Sequence, residues 1–161
     1  MTLPWRDAIR TVLILSACVA AVGCGSSEGE PNAVDPVRVT IGDRTWTAEV
    51  AAGRHSRWKG LSGRESLSAQ RGMLFVFPSE DVRSFCMRGC SFDIDIAFIN
   101  ARREIVTIHQ MKEEPDRLGV VPYSSEVPVK YALEVLGGEL GRAGVTVGDR
   151  VEIDGNLPVP R

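Results

Sequence analysis

The nine residues SFDIDIAFI, at positions 91–99, constrain the fold of this chain more than any other stretch. Apolar side chains at every second position alternate with small or acidic ones, and the apolar set is Phe92, Ile94, Ile96 and Phe98. A period of two is typical of a β-strand with one face in a core and the other face outside. Because further short alternating runs lie on both sides, we predict a mainly β protein, a single small β-sandwich or jelly-roll-like barrel with one or two short helices.

The remaining elements are also predicted to be short. Residues 37–41 and 45–51 flank Gly42-Asp43-Arg44, a spacing that predicts a β-hairpin. Residues 131–136 fit a strand or a helix equally well. Further strands are predicted at 73–77, 82–87, 104–109 and 145–153, and short helices at 55–61 and 139–143.

The N-terminus has the pattern of an export signal. Arg6 and Arg10 precede an apolar run at 11–23, which is too short to span a bilayer, since that takes about 20 apolar residues. The run ends in small residues before Cys24, which looks like a bacterial lipoprotein signal whose cysteine becomes the lipidated first residue. Cys18 follows a competing but shorter apolar run.

These features divide the chain into four predicted segments: a lipoprotein signal peptide at 1–23, a flexible tether at 24–36, a β-rich globular domain at 37–155 and a C-terminal tail at 156–161. The lipid would anchor the protein to the membrane of the cell envelope. Gly25 rather than Asp follows the cysteine, which favours the periplasmic face of the outer membrane in a bacterium with two membranes.

The charge balance argues against a nucleic-acid partner. Loss of Arg6, Arg10 and Asp7 with the signal reduces the 19 basic and 21 acidic residues of the chain to 17 and 20, a net charge of −3. The domain has no basic tract, so we predict that it does not bind nucleic acid.

Eight separated blocks of the domain form a recognisable pattern. They are Gly60-Leu61, Gly63-Arg64-Glu65-Ser66-Leu67, Gly72-Met73-Leu74-Phe75-Val76-Phe77, Ser84-Phe85-x-Met87, Asp95-Ile96, Tyr123-Ser124-Ser125-Glu126, Lys130-Tyr131-x-Leu133-Glu134 and Gly144-Val145-x-x-Gly148-Asp149-Arg150-Val151. Their order and spacing resemble the prokaryotic family catalogued as domain of unknown function 192. The resemblance implies a compact β-sandwich or jelly-roll-like fold, often exported, with no established activity.

The chain departs from that family at one predicted turn. The family commonly has Trp where this chain has Cys86, Asn-Thr where it has Gly89-Cys90, and Pro where it has Asp93. Four departures so close together make this turn a candidate for a property specific to this chain.

Two cysteines remain once Cys18 is removed and Cys24 is lipidated. Cys86 and Cys90 flank Arg88-Gly89, and an oxidising compartment favours a disulfide across such a turn. A second interpretation is a soft metal site for copper, formed by Cys86, Met87, Cys90 and His109; otherwise we predict no cofactor. A third interpretation is a reactive thiol pair.

Other polar residues are candidates for binding or catalysis. Asp93 and Asp95 are predicted on one strand face, where they could share a cation or divide acid and base roles, or lie on a solvated outer face. Arg64, Glu126 and Lys130 fall in the family-like blocks, so they could gather with Asp95 in a polar cleft or form ordinary loop salt bridges. The tentative binding residues are therefore Arg64, Met87, Asp93, Asp95, Glu126 and Lys130.

The chain lacks the signatures of several enzyme classes. It has no HExxH, GxSxG, glycine-rich phosphate loop or GxGxxG, which removes support for zinc proteases, α/β-hydrolases, P-loop proteins and Rossmann enzymes. We therefore predict a lipid-anchored envelope domain that binds a small ligand or an envelope protein. The alternatives are an enzyme of unfamiliar type using Asp93, Asp95 or His109, and a copper or thiol-redox protein using Cys86, Met87 and Cys90.

Overall fold

The computed structural model describes residues 35–161. The predicted signal peptide, Cys24 and all but the last two residues of the predicted tether lie outside the described residues. Within residues 35–161, no helix is long and apolar enough to cross a bilayer.

Nine strands and two short helices form the domain. In chain order they are β1 (Val37–Ile41), β2 (Arg44–Ala51), α1 (Arg54–Lys59), β3 (Arg71–Asp81), β4 (Ser84–Phe85), β5 (Ile94–Ile99), β6 (Ile105–Met111), β7 (Tyr123–Ser124), β8 (Val129–Leu136), α2 (Glu139–Arg142) and β9 (Val151–Asp154). The prediction of a mainly β fold with one or two short helices is confirmed.

Seven of the strands form one curled sheet in the order β6-β5-β8-β3-β2-β1-β9. All neighbours are antiparallel except β2 and β3, which run parallel. The two edges of the sheet approach each other, because Glu104 forms a bridge with Arg150 and the Ile105 N–H donates to the Asp149 carbonyl at 2.9 Å. This contact curls the sheet into a half-barrel and removes part of its open edge.

Both faces of the central strands are buried. One core lies inside the curl and is built around Trp46, Leu74 and Leu133. A second core covers the other face and is built around Phe75 and Phe98. All six residues of β5 are buried, so the prediction that one face of this strand lies outside is wrong. The reason is that the connections between strands fold over the second face.

The element predictions hold best where the alternation is longest. The hairpin of β1 and β2 forms as predicted, and the ambiguous 131–136 segment is part of strand β8. The predicted strand at 145–153 is only Val151–Asp154, since Gly148 adopts a φ of 100° and the Asp149 side chain accepts the Thr146 N–H at 2.8 Å. That closed turn cannot continue a strand.

Candidate functional site

A cleft of about 430 Å³ lies between α1 and the second face of the sheet. Its volume falls within the range of roughly 300 to 1,000 Å³ that is usual for small-molecule sites. It is lined by Arg57, Trp58, Lys59, Gly60, Leu61, Ser62, Phe75, Phe77, Val82, Arg83, Ser84, Phe85, Cys86, Arg88, Cys90 and Glu134.

The parallel pairing of β2 and β3 creates the roof of this cleft. A connection between parallel strands must cross the sheet from one end to the other, so it runs over one face. Here the crossing contains α1, and it is held down by Arg57, which donates to the Ala52 carbonyl and, at 3.1 Å, to the Val76 carbonyl. Gly60 ends the helix with a φ of 51°, and a Cβ there would lie 3.5 Å from the Phe75 ring.

Glu134 forms part of the cleft floor. On β8 it lies opposite Ile96 of β5 and Met73 of β3, two residues of the second core, so its carboxyl is on the same face as theirs. The side chain is 5% exposed, and its Oε2 has no hydrogen-bond partner among residues 35–161. Burial raises the pKa of Glu134 to about 8. The carboxyl group is therefore mostly protonated at neutral pH, when it can donate a hydrogen bond.

The turn after β4 forms one side of the cleft and is held by hydrogen bonds to two other segments of the chain. The Ser62 hydroxyl donates to the Arg88 carbonyl at 2.6 Å, and the Gly89 N–H donates to the Arg117 carbonyl at 2.9 Å. Gly89 has a φ of 66°, in the left-handed region where glycine is favoured. The turn predicted at Arg88-Gly89 is thus present.

The disulfide predicted across this turn is absent, because Cys86 and Cys90 are both free thiols. Cys86 is exposed at the cleft, whereas Cys90 is buried and packs in the second core, so the two side chains occupy different environments. Burial, with a smaller effect of the Glu134 charge, raises the pKa of the Cys90 thiol to about 11. A thiol with so high a pKa is a poor nucleophile, which disfavours a reactive pair.

The four residues of the predicted copper site do not share one environment. Met87 is fully buried in the second core. His109 lies on β6, where its Nε2 is 2.7 Å from the Ser124 carbonyl and its ring packs against Phe98 and Tyr123. Neither residue lines the cleft that holds the two cysteines. Within residues 35–161, no group of three His, Cys, Asp or Glu side chains is placed to hold a metal ion.

Asp93 and Asp95 have different surroundings and different hydrogen-bond partners. Asp93 precedes β5 and binds the Lys112 ammonium at 2.8 Å and the Glu113 N–H at 2.9 Å, and these contacts hold its pKa below the usual value. Asp95 is inside the curl, where it accepts the Leu140 N–H at 3.0 Å near the start of α2. His109 pairs with Ile96 and therefore lies on the sheet face opposite to Asp95, so the structure does not bring these two residues of the enzyme alternative together.

The predicted polar cleft of Arg64, Asp95, Glu126 and Lys130 does not form. Arg64 makes a two-pronged ion pair with Glu49, with both N–O distances at 2.7 Å. Lys130 donates to the Pro78 carbonyl at 2.9 Å, and Glu126 is exposed in a turn with a φ of 61°. The sequence blocks group these residues, but the structure places them in separate parts of the domain.

A basic rim surrounds the mouth of the cleft; we use this name for Arg57, Arg83 and Arg88. The Arg88 guanidinium lies 4.1 Å from the centroid of the Trp58 ring, and those of Arg83 and Arg57 lie 4.4 and 5.7 Å from that of Phe77. Within residues 35–161, no Asp or Glu forms a salt bridge with any of the three. No carboxylate side chain of the described part of the domain therefore balances the positive charge of the rim, and Arg57 donates in addition to the main-chain oxygen of Arg161 at 2.8 Å.

Sequence reasoning missed Glu134 and the basic rim. The sequence does contain a signal for Glu134, because a carboxylate between the apolar pairs Ala132-Leu133 and Val135-Leu136 is unusual. No local sequence pattern indicates the basic rim, since its three arginines come from α1 and from either side of β4.

Comparisons with known proteins agree with this fold. A family model described as "Uncharacterized ACR", the domain of unknown function 192, matches residues 37–153. One similar crystal structure is that of a Sinorhizobium meliloti 1021 protein described as a "putative transcription regulator". Its sequence is 30% identical to this chain, and the two structures match with a TM-score of 0.69 over 78% of this chain and 98% of that one. A protein of unknown function from Novosphingobium aromaticivorans DSM 12444 is also 30% identical, with a TM-score of 0.64 over 74% of this chain and 84% of the other. No curated protein matches the chain. The chain therefore belongs to the family of domain of unknown function 192.

Proposed function

We propose that this protein is a lipid-anchored binding module of the cell envelope, and that it binds a small molecule in the cleft between α1 and the sheet. The anchor is supported by the small residues before Cys24 and by the polar tether that follows. The binding role is supported by the shape and chemistry of the cleft.

One observation carries the binding proposal: the buried Oε2 of Glu134 lacks a partner among the described residues. A buried polar group without a hydrogen bond costs roughly 1 to 3 kcal/mol, and a ligand in the cleft would supply the missing partner. A titratable group with a strongly raised pKa inside a cleft is also a common mark of a functional site.

The surroundings of Glu134 fit a ligand of small size. Aromatic walls from Phe75, Phe77 and Phe85 provide apolar contact, while the Ser62 hydroxyl and Glu134 provide a few polar groups. Apolar walls with a small number of converging polar groups are the usual composition of a ligand pocket.

Binding can be tested with a library of small fragments and two-dimensional amide NMR spectra of the purified protein. We expect shift changes to concentrate at Ser62, Cys90 and Glu134. The variant Ser84→Trp, which places an indole at the cleft, should abolish them. Ser68→Trp is the matched control, because Ser68 is exposed and does not line the cleft. Shift changes that are scattered over the surface, or that survive Ser84→Trp, would contradict the proposal.

A further inference from the structure

We infer that the ligand of this cleft is an organic anion with an apolar body, whose carboxylate or phosphate group binds Arg83 and Arg88 at the basic rim. The apolar body would lie against Phe85, and an uncharged oxygen of the ligand would accept a hydrogen bond from Glu134. This inference rests on the proposed binding function and adds the chemical class of the ligand.

The charges that line the cleft have one sign at neutral pH. Four lining side chains are basic, namely the three arginines of the basic rim and Lys59. Glu134 is the acidic side chain of the lining, and its raised pKa keeps it mostly neutral. A cleft with positive charge and low-dielectric walls attracts anions and repels cations.

The rim arginines have donor capacity left for a ligand. Arg83 uses one N–H for the Ser79 carbonyl at 2.9 Å, and its buried Nε has no partner among the described residues. Arg88 uses one N–H for the Trp58 carbonyl at 2.8 Å. Because a guanidinium has five N–H donors in a planar fork, each arginine can still bind an anionic oxygen pair.

The rim also holds like charges close together. Burial and then the positive charge of Arg83 lower the pKa of Arg57, and both guanidiniums lie over the same Phe77 ring. Like charges that lie this close repel each other, so an anion bound by Arg83 would relieve a cost that the free protein bears.

The wall below the rim is aromatic and preformed. Phe85 packs edge to face with Phe75, with 4.9 Å between centroids, and with Phe98, with 5.5 Å. Rings fixed in this way offer apolar contact without loss of side-chain freedom on binding. A purely inorganic anion would leave this wall unused, which is why we assign an apolar body to the ligand.

Four eight-carbon probes separate charge from apolar character: octanoate, octyl phosphate, 1-octanol and octylammonium. Calorimetric titration of the purified protein should show that the two anions bind at least about tenfold more tightly than the alcohol, with no binding of the cation. Arg83→Gln and Arg88→Gln should each weaken anion binding about tenfold or more, since a hydrogen bond to a charged group contributes about that factor. Arg102→Gln is the control, because Arg102 is exposed outside the cleft and should leave binding unchanged.

A second arm identifies the source of the anion. Protein carrying Cys24→Ser, which lacks the proposed anchor, is mixed with vesicles of phosphatidylcholine alone or with added phosphatidylglycerol. Sedimentation that requires phosphatidylglycerol, Arg83 and Arg88 would identify an anionic lipid headgroup. Binding of octyl phosphate without such sedimentation would identify a free small molecule.

Two failures have different meanings. If 1-octanol or octylammonium binds as tightly as octanoate and Ser84→Trp abolishes that binding, the cleft is a binding site and the assignment of an anion is wrong. If none of the four probes binds, the anion inference is again overturned, whereas the binding function depends on the separate fragment result.

Discussion

Glu134 and Cys90 lie together at the floor of the cleft, and both have a pKa that burial raises, to about 8 and about 11. Both groups are therefore predominantly uncharged at neutral pH, while the arginines at the mouth are charged. The cleft thus combines a neutral floor with a positive rim, an arrangement suited to a ligand that enters with its anionic end outward.

The first prediction concerns the pH dependence of stability through Glu134. The pKa of Glu134 is higher in the folded protein than in the unfolded chain. The contribution of Glu134 to the free energy of unfolding is therefore most favourable at low pH, and it is lost as the pH rises towards the folded pKa of about 8. We expect Glu134→Gln to remove this dependence. The stability of wild type relative to the variant should fall by about 3 kcal/mol between roughly pH 5 and pH 8.

Urea unfolding of both proteins across this range provides the measurement. Glu65→Gln, at an exposed position outside the cleft, should show the wild-type dependence. Parallel curves of unfolding free energy against pH for wild type and Glu134→Gln would contradict the prediction. They would show that Glu134 has the same pKa in the folded and unfolded states.

The second prediction concerns the thiols. Iodoacetamide at neutral pH should modify Cys86 rapidly, because it is exposed, and Cys90 at least about a hundredfold more slowly, because it is buried and its pKa is raised. Mass spectrometry of timed samples gives both rates. Equal rates would contradict the burial of Cys90. If neither cysteine were modified, the result would support a disulfide between Cys86 and Cys90.

The third prediction concerns Glu114, which organises the loop beside the turn of Arg88. Its carboxylate accepts the N–H groups of Gly119, Val120 and Val121 at 2.7, 2.9 and 3.0 Å, and these bonds lower its pKa. The stabilisation from a lowered pKa is present at neutral pH and is lost as the pH falls through the folded value.

Glu114→Gln should therefore speed hydrogen exchange at these three amides. Glu113→Gln provides the control. Glu113 is exposed, and its ion pair with Arg117 is weak because the two charged groups are 3.6 Å apart at the surface. We therefore expect this variant to leave hydrogen exchange at the three amides unchanged. Unchanged exchange in Glu114→Gln would mean that the loop holds its shape without the carboxylate.

The fourth prediction compares two glycines that share a backbone conformation. Gly119 and Gly144 have φ values of 73° and 69°, so alanine is strained at both by roughly 1 to 2 kcal/mol. A Cβ at Gly119 would also lie 2.7 Å from the Arg88 backbone nitrogen, whereas none of the described residues lies within 4 Å at Gly144. Gly119→Ala should lower the melting temperature more than Gly144→Ala, and equal losses would show that the Arg88 turn moves aside freely.

The fifth prediction concerns the anchor. Cys24→Ser should move the protein from the membrane fraction to the soluble envelope fraction, because the lipid would have no attachment site. Cys18→Ser tests the competing signal and should leave the protein in the membrane fraction. Sedimentation of the Cys24→Ser protein with membranes would contradict the lipoprotein interpretation.

The strands were predictable because their alternation is local, but the placement of polar residues was not. Asp95 alternates with apolar neighbours and therefore suggested an outer face, yet it is buried because it accepts the N–H of Leu140, 45 residues away. Such a contact leaves no trace in the spacing around Asp95. The cleft was equally hidden, since Glu134 and Arg57 line one cleft only when the crossing from β2 to β3 folds over the sheet.

That crossing is the part of the fold that shapes one wall of the proposed site. Residues 57–62 of the cleft belong to this single connection, and the family-like blocks Gly60-Leu61 and Gly63-Arg64-Glu65-Ser66-Leu67 also lie in it. A change in the length of the connection would alter the cleft while the hydrogen-bonded register of β2 with β3 stayed in place. The half-barrel and the wall of the cleft can therefore be altered separately by mutation.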